Sequence, residues 1–233
     1  MRKTVLMLFL STAGALLNIV SNKLFTSVLG FPLYMDTMFT ITITLVFGLF
    51  WGVFCGTLTN IISHSIGFWG WEGYLFILCN AATALITWLF IKLFPRELNL
   101  YNADQKILPF YSHRTGRIRI IMDRTIVLIL TSFGLCLVIS ILGGVIASFI
   151  LIYSSSYTEA DISVISCGFS GTMFDKNYPV FLSQIFSRIP VNIVDRLISV
   201  FAGYGAAYLL KSVFKLSSQR PKPSSSTLPA GSM

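Results

Sequence analysis

Residues 33–66 read LYMDTMFTITITLVFGLFWGVFCGTLTNIISHSI, an apolar run with one carboxylate, Asp36, and one imidazole, His64. As a single helix rising 1.5 Å per residue it would be about 51 Å long, well beyond a hydrocarbon core of roughly 30 Å. The run is therefore expected to fold back as two short helices, with a tight turn around Phe50-Trp51-Gly52. One long tilted helix is the alternative.

The rest of the chain has the same character. Of 233 residues, 55% are AVILMFWYC and only 11% are charged, where an ordinary globular domain carries about 25% charge. The mean hydropathy is +0.77. These values exclude a sizeable soluble domain and place the protein in a lipid bilayer. A crossing helix needs about 20 mainly apolar residues, and such stretches fall at 4–21, 33–49, 50–66, 73–94, 125–153 and 189–211. The expected fold is an all-α integral membrane protein, a bundle of six transmembrane helices spanning residues 1–212. A basic loop at 95–124 interrupts it, and a disordered Ser/Pro-rich tail follows at 213–233. Arg2-Lys3, the apolar stretch after them and Ala13-Gly14-Ala15 also resemble a cleavable signal peptide; apolar sequence continuing through Val20 speaks for a retained helix.

The net charge of +8 is a matter of topology rather than of nucleic-acid binding, because Lys and Arg beside span ends set orientation. With both termini inside, the cytoplasmic segments hold Arg2, Lys3, Lys92, Arg96, Lys106, Arg114, Arg117, Arg119, Arg124, Lys211, Lys215, Arg220 and Lys222, thirteen of the 17 basic residues. A bacterial-type cytoplasmic membrane is the expected location, with the 95–124 loop touching anionic headgroups of the membrane lipid. Cys55, Cys79, Cys136 and Cys167 show no CxxC or Cys/His spacing, so neither a metal site nor a disulfide framework is implied.

No phosphate-loop, nucleophile-elbow or HExxH pattern is present. Two histidines offer little material for an acid–base centre, and the chain is expected to be neither an enzyme nor a cofactor carrier. The information lies in polar residues at membrane depth, which are costly there and usually line a cavity or pair within the bundle. Asn22 closes span one, Asp36 opens span two, Asn60 and His64 end span three, and Trp69, Trp71 and Glu72 occupy the loop that follows. Asn80 is two turns into span four, while Arg188, Asn192, Asp195 and Arg196 open the last span. Nearly all belong to the outer half, which predicts a substrate pocket open to the outside. Residues 188, 192, 195 and 199 share one helix face, with Pro190 expected in the first turn. Arg196 pairing with Asp36 is the structural alternative, and Trp69 and Trp71 are either stacking surfaces for a planar ligand or interfacial anchors. Gly48, Gly52 and Gly56 repeat every fourth residue, as does Ser11-xxx-Ala15, and both patterns allow close helix approach.

Gly30-Phe-Pro-Leu-Tyr-Met-Asp36, the glycine-punctuated hairpin ending in Thr59-Asn60, and the final Ile189-Pro-Val-Asn-Ile-Val-Asp-Arg together resemble the S components of energy-coupling factor (ECF) transporters and the related vitamin-uptake-like membrane sensors. The similarity covers about residues 4–212. It implies a six-helix bundle that binds a vitamin or similar micronutrient at its outer side and docks on a scaffold subunit carrying two ATPase subunits. Ser11 and Ala15 match the family's small-residue docking motif, with Ser for the first Ala. Its ligand-contacting regions correspond here to Asn22, Trp69, Trp71, Glu72, Arg188, Asn192 and Asp195. A ligand sensor signalling to a partner kinase is the alternative; many such sensors carry the signalling domain after the last span, where this sequence has the Ser/Pro-rich tail.

Overall fold

The computed structural model describes residues 2–30, 33–66, 71–98, 100, 113–153 and 179–214, without the side chains of 2, 71, 72, 113–120, 151 and 180. Helix α1 (Arg2–Lys23) continues into a π-helical turn (Leu24–Val28). Then come α2 (Met38–Phe47), α3 (Leu49–Ser65), a 3-10 helix (Trp71–Phe76) that runs directly into α4 (Ile77–Leu93), α5 (His113–Tyr153) and α6 (Val180–Val213). No strand occurs among the described residues. Four helices, Lys3–Val28, Gly73–Leu93, Ile121–Ile150 and Phe181–Val213, are long and apolar enough to cross a membrane. Their exposed side chains, such as Phe9, Val20, Ile121, Leu137 and Phe149, suit a hydrocarbon surround.

The bundle is built around α2, which packs against α1, α3, α4 and α6, while α5 makes its most extensive contact with α6. Every residue from Thr40 to Val46 is buried. Ile-Thr alternation reads as a strand in water, and β-branched residues are modest helix formers. The threonines settle the conformation by returning their hydroxyls one turn back: Thr42 Oγ1 donates to the Met38 carbonyl at 3.0 Å and Thr44 Oγ1 to the Thr40 carbonyl at 2.7 Å. Thr42 and Thr44 are thereby satisfied within the helix itself, and Thr42 Oγ1 also lies 3.1 Å from the Gly203 carbonyl of α6.

The reversal between α2 and α3 falls at Gly48, earlier than the expected Phe50–Gly52. Its φ of 90° is open to glycine and strained for other residues. Its N–H donates to the Thr44 carbonyl at 2.9 Å, and its carbonyl accepts from Gly52 N–H at 3.1 Å, so one residue ends one helix and begins the next. The following glycines let the pair close. A Cβ on Gly52 would collide with Thr44 Oγ1, and one on Gly56 would lie 3.0 Å from Asn80 Cβ of α4.

Several expected boundaries change. Ten residues make α2 too short to cross a bilayer alone, because the chain at 33–37 enters the bundle in a non-helical conformation; Asp36 precedes the helix rather than opening it. The 95–124 segment is not a loop throughout, since α5 begins at His113 and is 41 residues long. The rest of that segment's centre, 101–112, lies outside the described residues, as do 215–233 of the expected tail. The last helix begins at Val180, nine residues before the expected start, so Pro190 sits inside it. There it cannot donate to the Phe186 carbonyl, a defect that commonly bends a helix.

Ser11 and Ala15, expected to face a partner, are fully buried. Ala15 joins Leu10, Ile43 and Cys55 in a small core between α1, α2 and α3. The small residues admit neighbours within the bundle, and the outward face of α1 is made of Val5, Leu8, Phe9, Leu16 and Val20 instead. The docking assignment for these two residues is corrected to internal packing.

Candidate functional site

Buried polar side chains gather at one end of the bundle, where α1 and α3 finish, α2 and α4 begin, and α6 runs its first half. At the opposite end Leu45, Val46, Leu98, Leu100, Val127, Leu128 and Ala207 form one core with Phe90, Phe94 and Leu210 packed against it, and the buried hydroxyls of Thr87, Thr131 and Ser132 are returned to carbonyls of their own helices.

The polar end is organised by α6. Arg188, Asn192, Asp195 and Ser199 are all buried on it, as expected from their spacing, and so are Arg196, Ser183, Gln184 and Ser187. Asp195 Oδ1 accepts the Met35 backbone N–H at 2.8 Å, and its Oδ2 lies 3.1 Å from Arg196 Nη2. Adjacent residues on a helix do not face each other, yet the long arginine folds back to its own neighbour. Arg196 Nη2 is also 3.9 Å from Asp36 Oδ1, and Nη1 donates to Thr37 Oγ1. Ser199 Oγ approaches Met35 Sδ at 3.6 Å.

These bonds hold the connector ahead of α2. Met35 has a φ of 46°, a left-handed conformation uncommon outside glycine. Asp195 and Ser199 fix it from α6, and Asn22 Nδ2 fixes its neighbour by donating to the Tyr34 carbonyl at 2.8 Å. Strain of this kind persists only where the surroundings over-determine it. Asp195, expected as a ligand anchor, therefore uses Oδ1 to clamp Met35 to the bundle, while its Oδ2 pairs with Arg196 and makes no hydrogen bond.

Other expected residues divide between structural and open positions. Asn192 Nδ2 donates to Ser140 Oγ at 2.9 Å and ties α6 to α5. Asn60 Nδ2 returns to the Gly56 carbonyl at 3.3 Å. Asn80 Nδ2 reaches the same carbonyl at 3.4 Å across the α3–α4 contact, while its Oδ1 is buried without a partner. His64 stacks edge-on against Tyr74, with ring centroids 4.7 Å apart, and neither ring nitrogen has a hydrogen bond. Trp69 lies outside the described residues. Trp71 and Glu72 start the 3-10 helix, and their side chains are likewise outside the description.

Sequence reasoning missed Asn18, the most fully bonded of the group. Its Nδ2 donates to Thr40 Oγ1 at 3.1 Å and Thr59 Oγ1 at 3.2 Å, and its Oδ1 accepts from Phe39 N–H at 2.9 Å. One amide thus joins α1, α2 and α3. Its position one helical turn before Asn22, in an otherwise apolar helix, was the available signal. Gln184 was missed because it lies in the part of α6 that was not expected to be helical.

Among the described residues no group of three His, Cys, Asp or Glu side chains is placed to hold a metal ion. Comparison with protein-family models, with curated proteins and with solved structures gave no match. Chemically, the site offers two arginines, two aspartates, and buried amides and hydroxyls.

Proposed function

We propose that this protein is a membrane-embedded substrate-binding subunit of an ECF-type importer, capturing a vitamin or related micronutrient from outside. In this reading the chain crosses a bacterial-type cytoplasmic membrane six times, with both termini inside. The shorter α2 completes its crossing with the 33–37 connector, and the polar end faces out. It performs no chemistry on its ligand and needs no cofactor.

One observation carries the reading: the buried charged and amide side chains gather at a single end, and some of their polar atoms have no partner. Burying an unpaired polar group costs about 1–3 kcal/mol, and more for a charge. A structural network would pair its members, whereas a binding site keeps donors and acceptors free for a ligand. A proton or ion pathway would continue charged and amide groups to the other end, where the buried residues are apolar side chains and hydroxyls bonded within their own helices. Because Ser11 and Ala15 are internal, docking on a scaffold subunit falls to the outward apolar face of α1 or to other lipid-facing surface.

Gentle affinity purification from native membranes tests the assignment. A transmembrane scaffold and two ATPase subunits should be recovered with the chain. Recovery of a histidine kinase instead would identify a sensor, and recovery of neither would contradict the importer reading.

A further inference from the structure

Arg188 is 8% exposed and Gln184 is 0% exposed. Neither Arg188 Nε nor Nη2 has a hydrogen-bond partner, and both Gln184 amide atoms are equally unpartnered. Among the described residues Arg188 has no counter-ion, and a buried unpaired guanidinium is among the most expensive features a membrane protein can keep.

The two free nitrogens belong to the same edge of the guanidinium. A Cβ on Gly143 of α5 would lie 3.5 Å from Arg188 Nη1, 3.6 Å from Cδ and 3.9 Å from Cζ. Glycine therefore lets the Cδ/Nη1 edge rest on α5, which directs the Nε/Nη2 edge away from it. Phe76, in the 3-10 helix, places its ring 5.9 Å from Cζ, a cation–π distance that fixes the plane of the group without using its N–H donors. The arginine is thus held by its back and its face, with its fork left open. Gln184 stands one turn earlier on the same helix face, about 6 Å along the axis.

We propose that Arg188 binds the carboxylate of an organic acid through its Nε/Nη2 fork, with Gln184 hydrogen-bonding a second polar group of the same molecule. Two parallel N–H···O bonds match the spacing of the two carboxylate oxygens, a recognition that lysine cannot reproduce. The proposal deepens the binding-protein reading above and rests on it; it narrows the ligand to acids.

The test uses the full-length protein in lipid nanodiscs and follows its melting temperature. The probes are acetate, benzoate and nicotinate, each against its primary amide, with inorganic phosphate as a separate arm. Acids should raise the melting temperature of the wild type above that given by their amides, and R188M and R188K should both lose the difference. Loss of a charge-assisted fork weakens binding by about 10- to 100-fold. Without any probe, R188M should melt no lower than the wild type, because an unpaired buried charge has been replaced by an apolar chain of similar length.

A lower melting temperature for R188M without probe would assign Arg188 to the structure and overturn the proposal. So would acids acting equally on wild type and variants, no acid exceeding its amide, or phosphate exceeding every acid. Acid selectivity that depends on Arg188, in a protein that recovers no scaffold, would retain the site and remove the importer reading. A co-purified micronutrient bound equally well by R188M and R188K would do the reverse.

Discussion

Asp195 shows how a residue chosen correctly from sequence can have a different task. Its spacing put it on the buried face of the last helix, but spacing carries no information about which backbone N–H would meet it. That donor, Met35, is 160 positions away. Asp195→Asn keeps an oxygen for Met35 and removes the charge that faces Arg196. The variant should lose about 3 kcal/mol of stability while ligand affinity changes little; parallel melting and titration curves separate the two effects. Asn192 and Ser140 supply a second case. Either alanine substitution should cost about 1 kcal/mol, and the double variant no more than the larger single loss, because the two share one hydrogen bond. Full additivity in a double-mutant cycle would mean the bond is not made. Asn18 was legible in principle, as an amide one turn before Asn22 in a mainly apolar helix. Gln184 was hidden by a misplaced helix start.

At the scale of the elements, composition identified the helices better than it placed their ends. The extents of α3 and α4 agree with expectation to within a few residues, since apolar runs bounded by Ser65 and Pro95 leave little choice. The start of α6 was placed late because Pro190 reads as a first-turn residue, and only its packing against α5 shows that the helix carries the proline inside. The α2–α3 turn shifted to Gly48 because a one-residue reversal needs the positive φ found there. Packing of this hairpin is tight enough to test. Gly52→Ala should destabilise the protein by about 1–3 kcal/mol through overpacking against Thr44 and Ala84, read as a lower melting temperature. An unchanged melting temperature would show that the two helices can separate at little cost.

For the molecule as a whole, the membrane character follows from composition and the one-ended polarity from the order of residues along alternating helices. What sequence does not supply is the pairing among those polar groups, which depends on helix rotation and on the connector's path. Orientation remains tied to the basic residues. In a Cys167→Ser background, Gln105→Cys should resist an impermeant thiol reagent in intact cells and Tyr157→Cys should label; the reverse pattern would turn the polar end inward. The central claim is that the polar end holds a small molecule. Native mass spectrometry of the protein released from lipid nanodiscs tests it most directly. The account predicts a discrete non-lipid adduct on the wild type that is lost in the Arg188→Met, Asn80→Ala double variant. A bare protein mass, or an adduct retained equally by that variant, would contradict it.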